Sequence, residues 1–310
     1  MRKVIVLMST YNGECFVKEQ IDSILGQKDV DIELYIRDDN SVDGTEKVLR
    51  KYCDYPNVYI EFGNNLGVGN SFMNLLYNSP KADYYAFADQ DDIWLPDKLI
   101  RAVRQIELVG NSKTPILYGS NQTVTDRNGS KISMRYSVPP QFDLVSSIEH
   151  GQIAGCTMVM NSVLKEMLCR PASRPTEEFL KIKIHDAWVL SFANCIGTVI
   201  YDEESYILYR QHDRNVVGAK EKKFVDLAPE YRKVLLGKSK YRNRRKKTSL
   251  QLLESSNGYN VSDENKHILE LYKNTGSIRG NFKFICSDIF SKKIKSNHIV
   301  YGIKLFLGLI

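Results

Sequence analysis

The sequence predicts an α/β fold: a mainly parallel sheet with helices on both faces, followed by a mostly helical, basic C-terminal extension. Three observations carry this. Over the first 120 residues short β-rich runs alternate with amphipathic helical patterns, as right-handed strand–helix–strand crossovers require. Acidic clusters stand directly after several predicted strands, where such sheets bind ligands. Beyond Gly218 the character changes: Lys220 to Lys247 holds twelve Lys and Arg against Glu221, Asp226 and Glu230.

The elements follow in order. Lys3–Met8 reads as a strand, and Val17–Leu25 as a helix with Val17, Ile21, Ile24 and Leu25 on one face. Ile32–Arg37 is a strand, Thr45–Tyr52 a helix, Val58–Phe62 a strand and Ser71–Tyr77 a helix. Tyr84–Ala88 is a strand, and Pro96–Leu108 a helix with proline in its first turn. From Ile116 to Arg210 the pattern is mixed. Ile116–Asn121, Ile153–Asn161 and Glu204–Arg210 read as strands, Asp126-Arg127-Asn128-Gly129 as a turn and Asp186–Cys195 as a helix. The division expected is a domain over 1–218, with a nucleotide-side half at 1–120 and an acceptor-side half at 121–218, and an extension over 219–310.

With 310 residues, 43% apolar and 26% charged, the chain has material for a large core. Met1-Arg2-Lys3 runs into an apolar stretch too short for a signal core or a membrane span, which predicts a cytoplasmic protein. The six cysteines form no CxxC pair, so zinc-ribbon and dithiol redox chemistry have no support.

Three acidic clusters are candidates for chemistry. Asp38-Asp39-Asn40-Ser41 follows the second strand; a carboxylate there can accept from a nucleobase imide or a ribose hydroxyl, or simply shape a capping turn. Asp89-Gln90-Asp91-Asp92 follows Tyr84–Ala88. Three carboxylates in four residues repel one another unless a cation neutralises them, and hard oxygen donors suit Mg²⁺ or Mn²⁺ with substrate phosphates; the plain alternative is a solvated turn capping a helix at Ile93–Pro96. His185-Asp186-Ala187-Trp188 offers Asp186 either as a helix cap or as a general base. His212, in Gln211-His212-Asp213-Arg214-Asn215, is a further metal or phosphate candidate, though a lone His is more often structural.

In order and spacing these pieces resemble glycosyltransferase family 2. The resemblance rests on Val4–Leu7 followed by Ser9-Thr10-Tyr11-Asn12-Gly13, Asp38-Asp39-Asn40-Ser41 with Asp43, Asn65-Leu66-Gly67, and Asp89-Gln90-Asp91-Asp92 with Trp94 and Pro96. His185-Asp186 with Trp188, and Tyr209-Arg210-Gln211-His212 with Asn215 and Gly218, extend it to about residue 218. The opening motif and Asp89–Pro96 look most like bacterial rhamnosyltransferases of cell-wall or capsular polysaccharide. The resemblance implies a GT-A fold and an inverting, metal-dependent transfer of a sugar, rhamnose from dTDP-rhamnose being favoured over a UDP-hexose, to a saccharide acceptor carried on a polyprenyl lipid. It implies that Ser9, Tyr11 and Asp39 hold the nucleotide, that Asp89 lies near the ribose or metal, that Asp91 is the direct ligand of Mn²⁺ or Mg²⁺ with His212 completing the site, and that Asp186 is the base. Gly155, Asp92 and Trp188 would stand on the acceptor or donor-sugar side. Two departures from the family pattern stand out: Gly69-Asn70-Ser71-Phe72 lacks the cation many relatives carry there, and His185 replaces an acidic residue.

A nucleotidyltransferase would need a Gly-rich, lysine-bearing phosphate loop that Ser9–Gly13 does not provide. A sugar-binding module is separated from an enzyme by turnover, and a nucleic-acid surface needs basic grooves where this chain puts carboxylates. The tail, with Lys238–Lys247 and the apolar Asn297–Ile310, predicts either contact with an anionic membrane surface or a packed terminal helix.

Overall fold

A computed structural model describes residues 1–110, 113–151, 153–212, 243–294 and 298–306. The expected boundary at 218, the candidates Asp213, Arg214, Asn215 and Gly218, the basic run from Lys220 to Arg242, and the last four residues lie outside the described residues.

The sheet runs β3(Val58–Phe62)-β2(Val30–Asp38)-β1(Arg2–Thr10)-β4(Tyr84–Ala88)-β8(Val159–Asn161)-β6(Ile116–Thr125)-β9(Thr198–Arg210)-β5(Ile93–Trp94), with β7(Lys131–Met134) paired to β6. β1, β2, β3 and β4 are mutually parallel, and β6 is parallel to β9; β8, β5 and β7 run antiparallel to their neighbours. Helices α1(Val17–Leu25), α2(Thr45–Leu49), α3(Val68–Asn78) and α4(Lys98–Val109) supply the crossovers. The sequence expectations for this half hold to within a few residues at each end.

Alternation along β1 builds two cores. Val4, Val6 and Met8 face one side, where α1 and α4 bring Val17, Ile21, Ile24, Leu99 and Val103. Ile5 and Leu7 face the other, covered by α3 and by α5(Leu144–Glu149), α6(Ser162–Cys169) and α8(His185–Ile196). All ten residues of β6 are buried; Ile116 and Tyr118 enter one core and Leu117 the other, so both faces are covered.

The stretch Ile153–Asn161 corrects the sequence reading. Only its last three residues are strand; Gly155–Thr157 is a 3₁₀ turn, closed by Thr157 N–H to Ala154 O at 3.0 Å and Met158 N–H to Gly155 O at 2.8 Å. An apolar run of this length does not distinguish a strand from a turn feeding one. Likewise Ile93–Trp94 is a two-residue strand held by β9, not the start of a helix.

The short helix α7(Glu177–Leu180) precedes α8, and the described part of the extension is helical: α9(Arg244–Ser255), α10(Asp263–Lys273), α11(Ile278–Ile285), α12(Asp288–Lys293) and α13(His298–Phe306). It is packed rather than loose. Leu252, Leu269, Tyr272, Phe284, Tyr301 and Leu305 belong to the same apolar cluster as Ile5, Leu7 and Trp188. Glu149, at the end of α5, is the polar join. Its buried carboxylate accepts the hydroxyls of Tyr272 and Tyr301, each at 2.7 Å, and Arg245 Nε–H at 2.6 Å, while its carbonyl takes Arg244 at 2.8 Å. A buried carboxylate is tolerated only when its lone pairs are filled in this way.

Candidate active site

The site forms where β1, β2 and β4 end. The Thr10–Glu14 loop is laced to the loop after β2: Asn12 N–H donates to Ser41 Oγ at 2.9 Å, Gly13 N–H to Thr45 Oγ1 at 2.8 Å, and Val42 N–H to Asn12 Oδ1 at 2.8 Å. Asp38 is structural, accepting from Thr10 Oγ1 at 2.8 Å and from the N–H and hydroxyl of Ser41 at 2.9 and 2.6 Å. The same loop is tied to the acidic motif through a reciprocal amide pair. Tyr11 N–H donates to Gln90 Oε1 and Gln90 Nε2 donates to Tyr11 O, both at 2.9 Å. Gly13 leaves the space that the Gln90 amide occupies; a Cβ there would displace that amide. The Tyr11 ring itself stays 48% exposed at the rim.

Asp39 lies buried at the floor. It accepts the N–H groups of Leu66 and Gly67 at 2.8 and 2.9 Å and pairs with Arg37, whose guanidinium also reaches Asn64 O at 2.7 Å. A carboxylate has about four acceptor positions; three bonds leave room for one more donor. Ser9 Oγ donates to Ser71 Oγ at 2.7 Å, beside this pair. The side chain after the Asn-x-Gly motif is therefore a serine backed by Arg37, which stands within 3.3 Å of Ser71 Oγ.

The acidic motif divides into an open edge and a buried one. On the open edge His212 Nε2 lies 2.8 Å from Asp91 Oδ2, and the imidazole is stacked on Phe16 at 4.7 Å between ring centroids. On the buried side Asp92 is fully enclosed with neither carboxylate oxygen in hydrogen-bonding geometry, next to the Cys156 thiol and near Lys98. Lys98 Nζ sits 3.6 Å from the centre of the Trp94 ring, and burial lowers it to about 7. Asp89, part-exposed but hemmed in by protein around its carboxylate, is pushed up to about 7, by burial first and then by Asp91 and Asp186. Burial, with the charges of Asp91 and Asp89, also raises Asp92 well above the usual carboxylate range.

Such crowding is what a bound cation relieves, so the residues fit a divalent ion. Donor atoms of Asp89, Asp92 and Cys156 come within 4.8 Å of one another. Yet Asp92 and Cys156 have no exposed surface, and burial holds the thiol protonated. The open edge, where Asp91 meets His212 with Asp89 beside it, is the part of the motif that a cation from solvent could reach.

Asp186 stands in the first turn of α8. Its Oδ2 accepts Gly155 N–H at 3.3 Å and its Oδ1 the N–H of Ala187 at 2.5 Å. Gly155 is buried, and a Cβ there would come 2.7 Å from His185 Nε2 and 3.2 Å from Asp186 Cβ. The glycine thus lets the 3₁₀ turn close on α8. His185 itself is buried between Phe72 and Phe87, stacked on Phe72 at 4.0 Å, and burial lowers it to about 4. At neutral pH it is an uncharged packing residue. Trp188 corrects the sequence expectation: it is fully buried between Phe179 and Phe192 and supports α8 from behind without facing the acceptor side. Asp92, expected on the sugar side, is likewise enclosed. The Gln90 cross-link, the Phe16 platform and the Lys98 cation had no signal in the sequence order.

The family model "Glycosyl transferase family 2" matches residues 5–168. The chain is 32% identical over 242 residues to the Shigella flexneri "dTDP-rhamnosyl transferase RfbG", covering 76% of this chain and 80% of that protein. It is 27% identical over 216 residues to an uncharacterised glycosyltransferase of Rickettsia typhi, covering 68% of this chain and 64% of that protein. The structure of S. aureus TarS 1-349 in complex with UDP superposes with a TM-score of 0.57 at 16% identity, over 98% of this chain and 78% of that one, a likeness of fold. The strand-end carboxylates and these matches lead to one conclusion: the chain belongs to glycosyl transferase family 2 and is a glycosyltransferase of GT-A fold.

Proposed function

We propose that this glycosyltransferase moves rhamnose from dTDP-rhamnose, with inversion and with help from Mn²⁺ or Mg²⁺, onto a saccharide acceptor carried on a polyprenyl lipid at the inner face of the cell membrane. The observation that carries the transfer reading is the meeting of Asp89, Asp91 and His212 with Asp186 around one set of strand ends. The donor rests on the 32% identity to a dTDP-rhamnosyl transferase. A UDP-hexose is the alternative.

In this reading Tyr11 stacks on the base from the rim, while Asp39, with one acceptor position left, takes a base imide or ribose hydroxyl beside Ser9. Asp89, Asp91 and His212 hold the metal, which when bound offsets the charge gathering on the departing diphosphate. His212, in contact with Asp91 at 2.8 Å, would offer a ring nitrogen to the same ion. Asp186 takes the proton of the acceptor hydroxyl. Gly155 N–H, donating to Oδ2, fixes the carboxylate in one orientation.

A panel of nucleotide sugars tested on the purified protein for binding and for metal-stimulated hydrolysis decides the matter. Response to dTDP-rhamnose, lost on chelation and in Asp91→Ala, is expected. Tight binding of a UDP-sugar with no response to dTDP-rhamnose reverses the donor, and full activity in excess chelator removes the metal.

A further inference from the structure

We infer that two C-terminal helices together form the surface by which this protein seats on an anionic bilayer. In α13 the apolar residues divide: Tyr301 and Leu305 turn into the core, while Ile299, Ile303 and Phe306 face out. In α11 Ile278 and Phe282 are also exposed, one helical turn apart. The two helices touch, Asn281 Nδ2 donating to Leu305 O at 3.3 Å. Between them and α12 opens an apolar groove of about 570 Å³, walled by Ile285, Phe290, Ile299, Ile303 and Phe306. The five outward side chains are 48% to 82% exposed. Single exposed apolar residues are ordinary; three large ones lining an apolar groove, with Ile278 and Phe282 exposed on the adjoining helix, are a binding surface.

Charge selects the occupant. From Gly276 to Ile310 the chain carries Arg279, Lys283, Lys292, Lys293, Lys295 and Lys304 against the single acid Asp288, with Lys292 paired to Asp288 and Lys293 to Asp143 and Glu264. Arg279 and Lys283 are exposed and alternate along α11 with Ile278 and Phe282. Apolar side chains inserted below a belt of cations match the interface of a bilayer containing acidic lipid. Among the described residues no helix is long and apolar enough to cross a membrane, so contact by this patch is peripheral. The patch is composite: half of it comes from α11, which the tail's sequence did not mark. The inference deepens the membrane-side acceptor reading above and rests on it only for its purpose.

The test uses the full chain with no donor or acceptor, so failure of docking and failure of transfer are separate results. Vesicles of phosphatidylcholine, with and without phosphatidylglycerol, are sedimented with the protein at low and high salt. Wild type should pellet with the acidic vesicles at low salt and be released at high salt. The double substitution Phe282→Ser with Ile303→Ser should lower partitioning by about tenfold, with the melting temperature held, since both side chains are exposed. Arg279→Gln with Lys283→Gln should weaken binding to acidic vesicles only. Wild type left in the supernatant at low salt overturns the inference, as does pelleting indifferent to both double variants. A wild-type dimer in sedimentation velocity that the apolar double variant makes monomeric, with no vesicle binding, assigns the patch to a second copy of the chain instead.

Discussion

Replacing Asp186 by Asn separates a base from a helix cap. In wild type Oδ1 takes Ala187 N–H at 2.5 Å and Oδ2 takes Gly155 N–H at 3.3 Å. Asn retains one acceptor. With that oxygen left on Ala187, the new amide NH₂ confronts Gly155 N–H, and the longer bond is lost. The cost is about 0.5–1.5 kcal/mol, which lowers the melting temperature by about 1–6 °C in a chain of this size. The kinetic cost is of another order. A positioned base contributes about 10²–10⁴-fold, or about 2.7–5.5 kcal/mol of barrier. Turnover should fall by that factor while donor KM stays near wild type. A second readout is independent of rate: Asp186 is one of the charges holding Asp89 up, so the variant should ionise Asp89, and bind metal, at lower pH. Turnover, donor affinity and melting are measured on one preparation. A folded Asp186→Asn protein with near-normal turnover refutes the assignment and passes the role to another carboxylate.

Three more outcomes are expected. Asp89 rises from 3.8 to about 7 in the metal-free fold, so its contribution to stability is present below about pH 4 and is lost as pH climbs to 7; the melting shift on adding Mn²⁺ should be larger at pH 8 than at pH 6, and an equal shift at both would contradict the crowding described here. Glu149→Gln removes the negative partner of Arg245 in a site where the two side chains are 4% and 12% exposed; a loss of about 3–5 kcal/mol and a melting temperature lower by about 6–20 °C are expected by calorimetry, with Tyr272→Phe costing less. Gly13→Ala pushes the Gln90 amide off Tyr11; it should weaken nucleotide binding in isothermal titration at a stability cost of about 1–3 kcal/mol, and unchanged affinity would show that the cross-link does not shape the base site.

How far the sequence could be read depended on whether the signal was local. The first four strands and their helices obey simple alternation, since each buries one face or both. The clusters at Asp39 and Asp89 were found because strand ends are where ligands bind, and Asp186 because a carboxylate at a helix start is either a cap or a base. What failed to show was set by distant partners. β5 is two residues long and exists because β9 pairs with it. Phe16 gains its role from His212, 196 positions away, and Glu149 from tyrosines 123 and 152 positions on. Trp188 looked like a ligand contact because it follows the candidate base, but the helical turn carries it inward. Of the tail's two readings the packed one holds for Tyr301 and Leu305, and the same helix leaves Ile299, Ile303 and Phe306 exposed, because its apolar residues lie on more than one face.

The shared core also sets an order of events during synthesis. The face of β1 bearing Val4, Val6 and Met8 finds all its partners by Tyr209, whereas the face bearing Ile5 and Leu7 belongs to a cluster that is completed only at Leu305. The 96 positions from Tyr209 to Leu305 take a ribosome about 5–20 s at about 5–20 residues per second. Through that interval the nascent chain holds a half-covered sheet with Glu149 waiting for Arg245 and its tyrosines, an open apolar face suited to a chaperone. A truncation before Arg244 would strip the described terminal helices from that cluster and leave Glu149 without Arg245, Tyr272 and Tyr301, so it would register as loss of the protein.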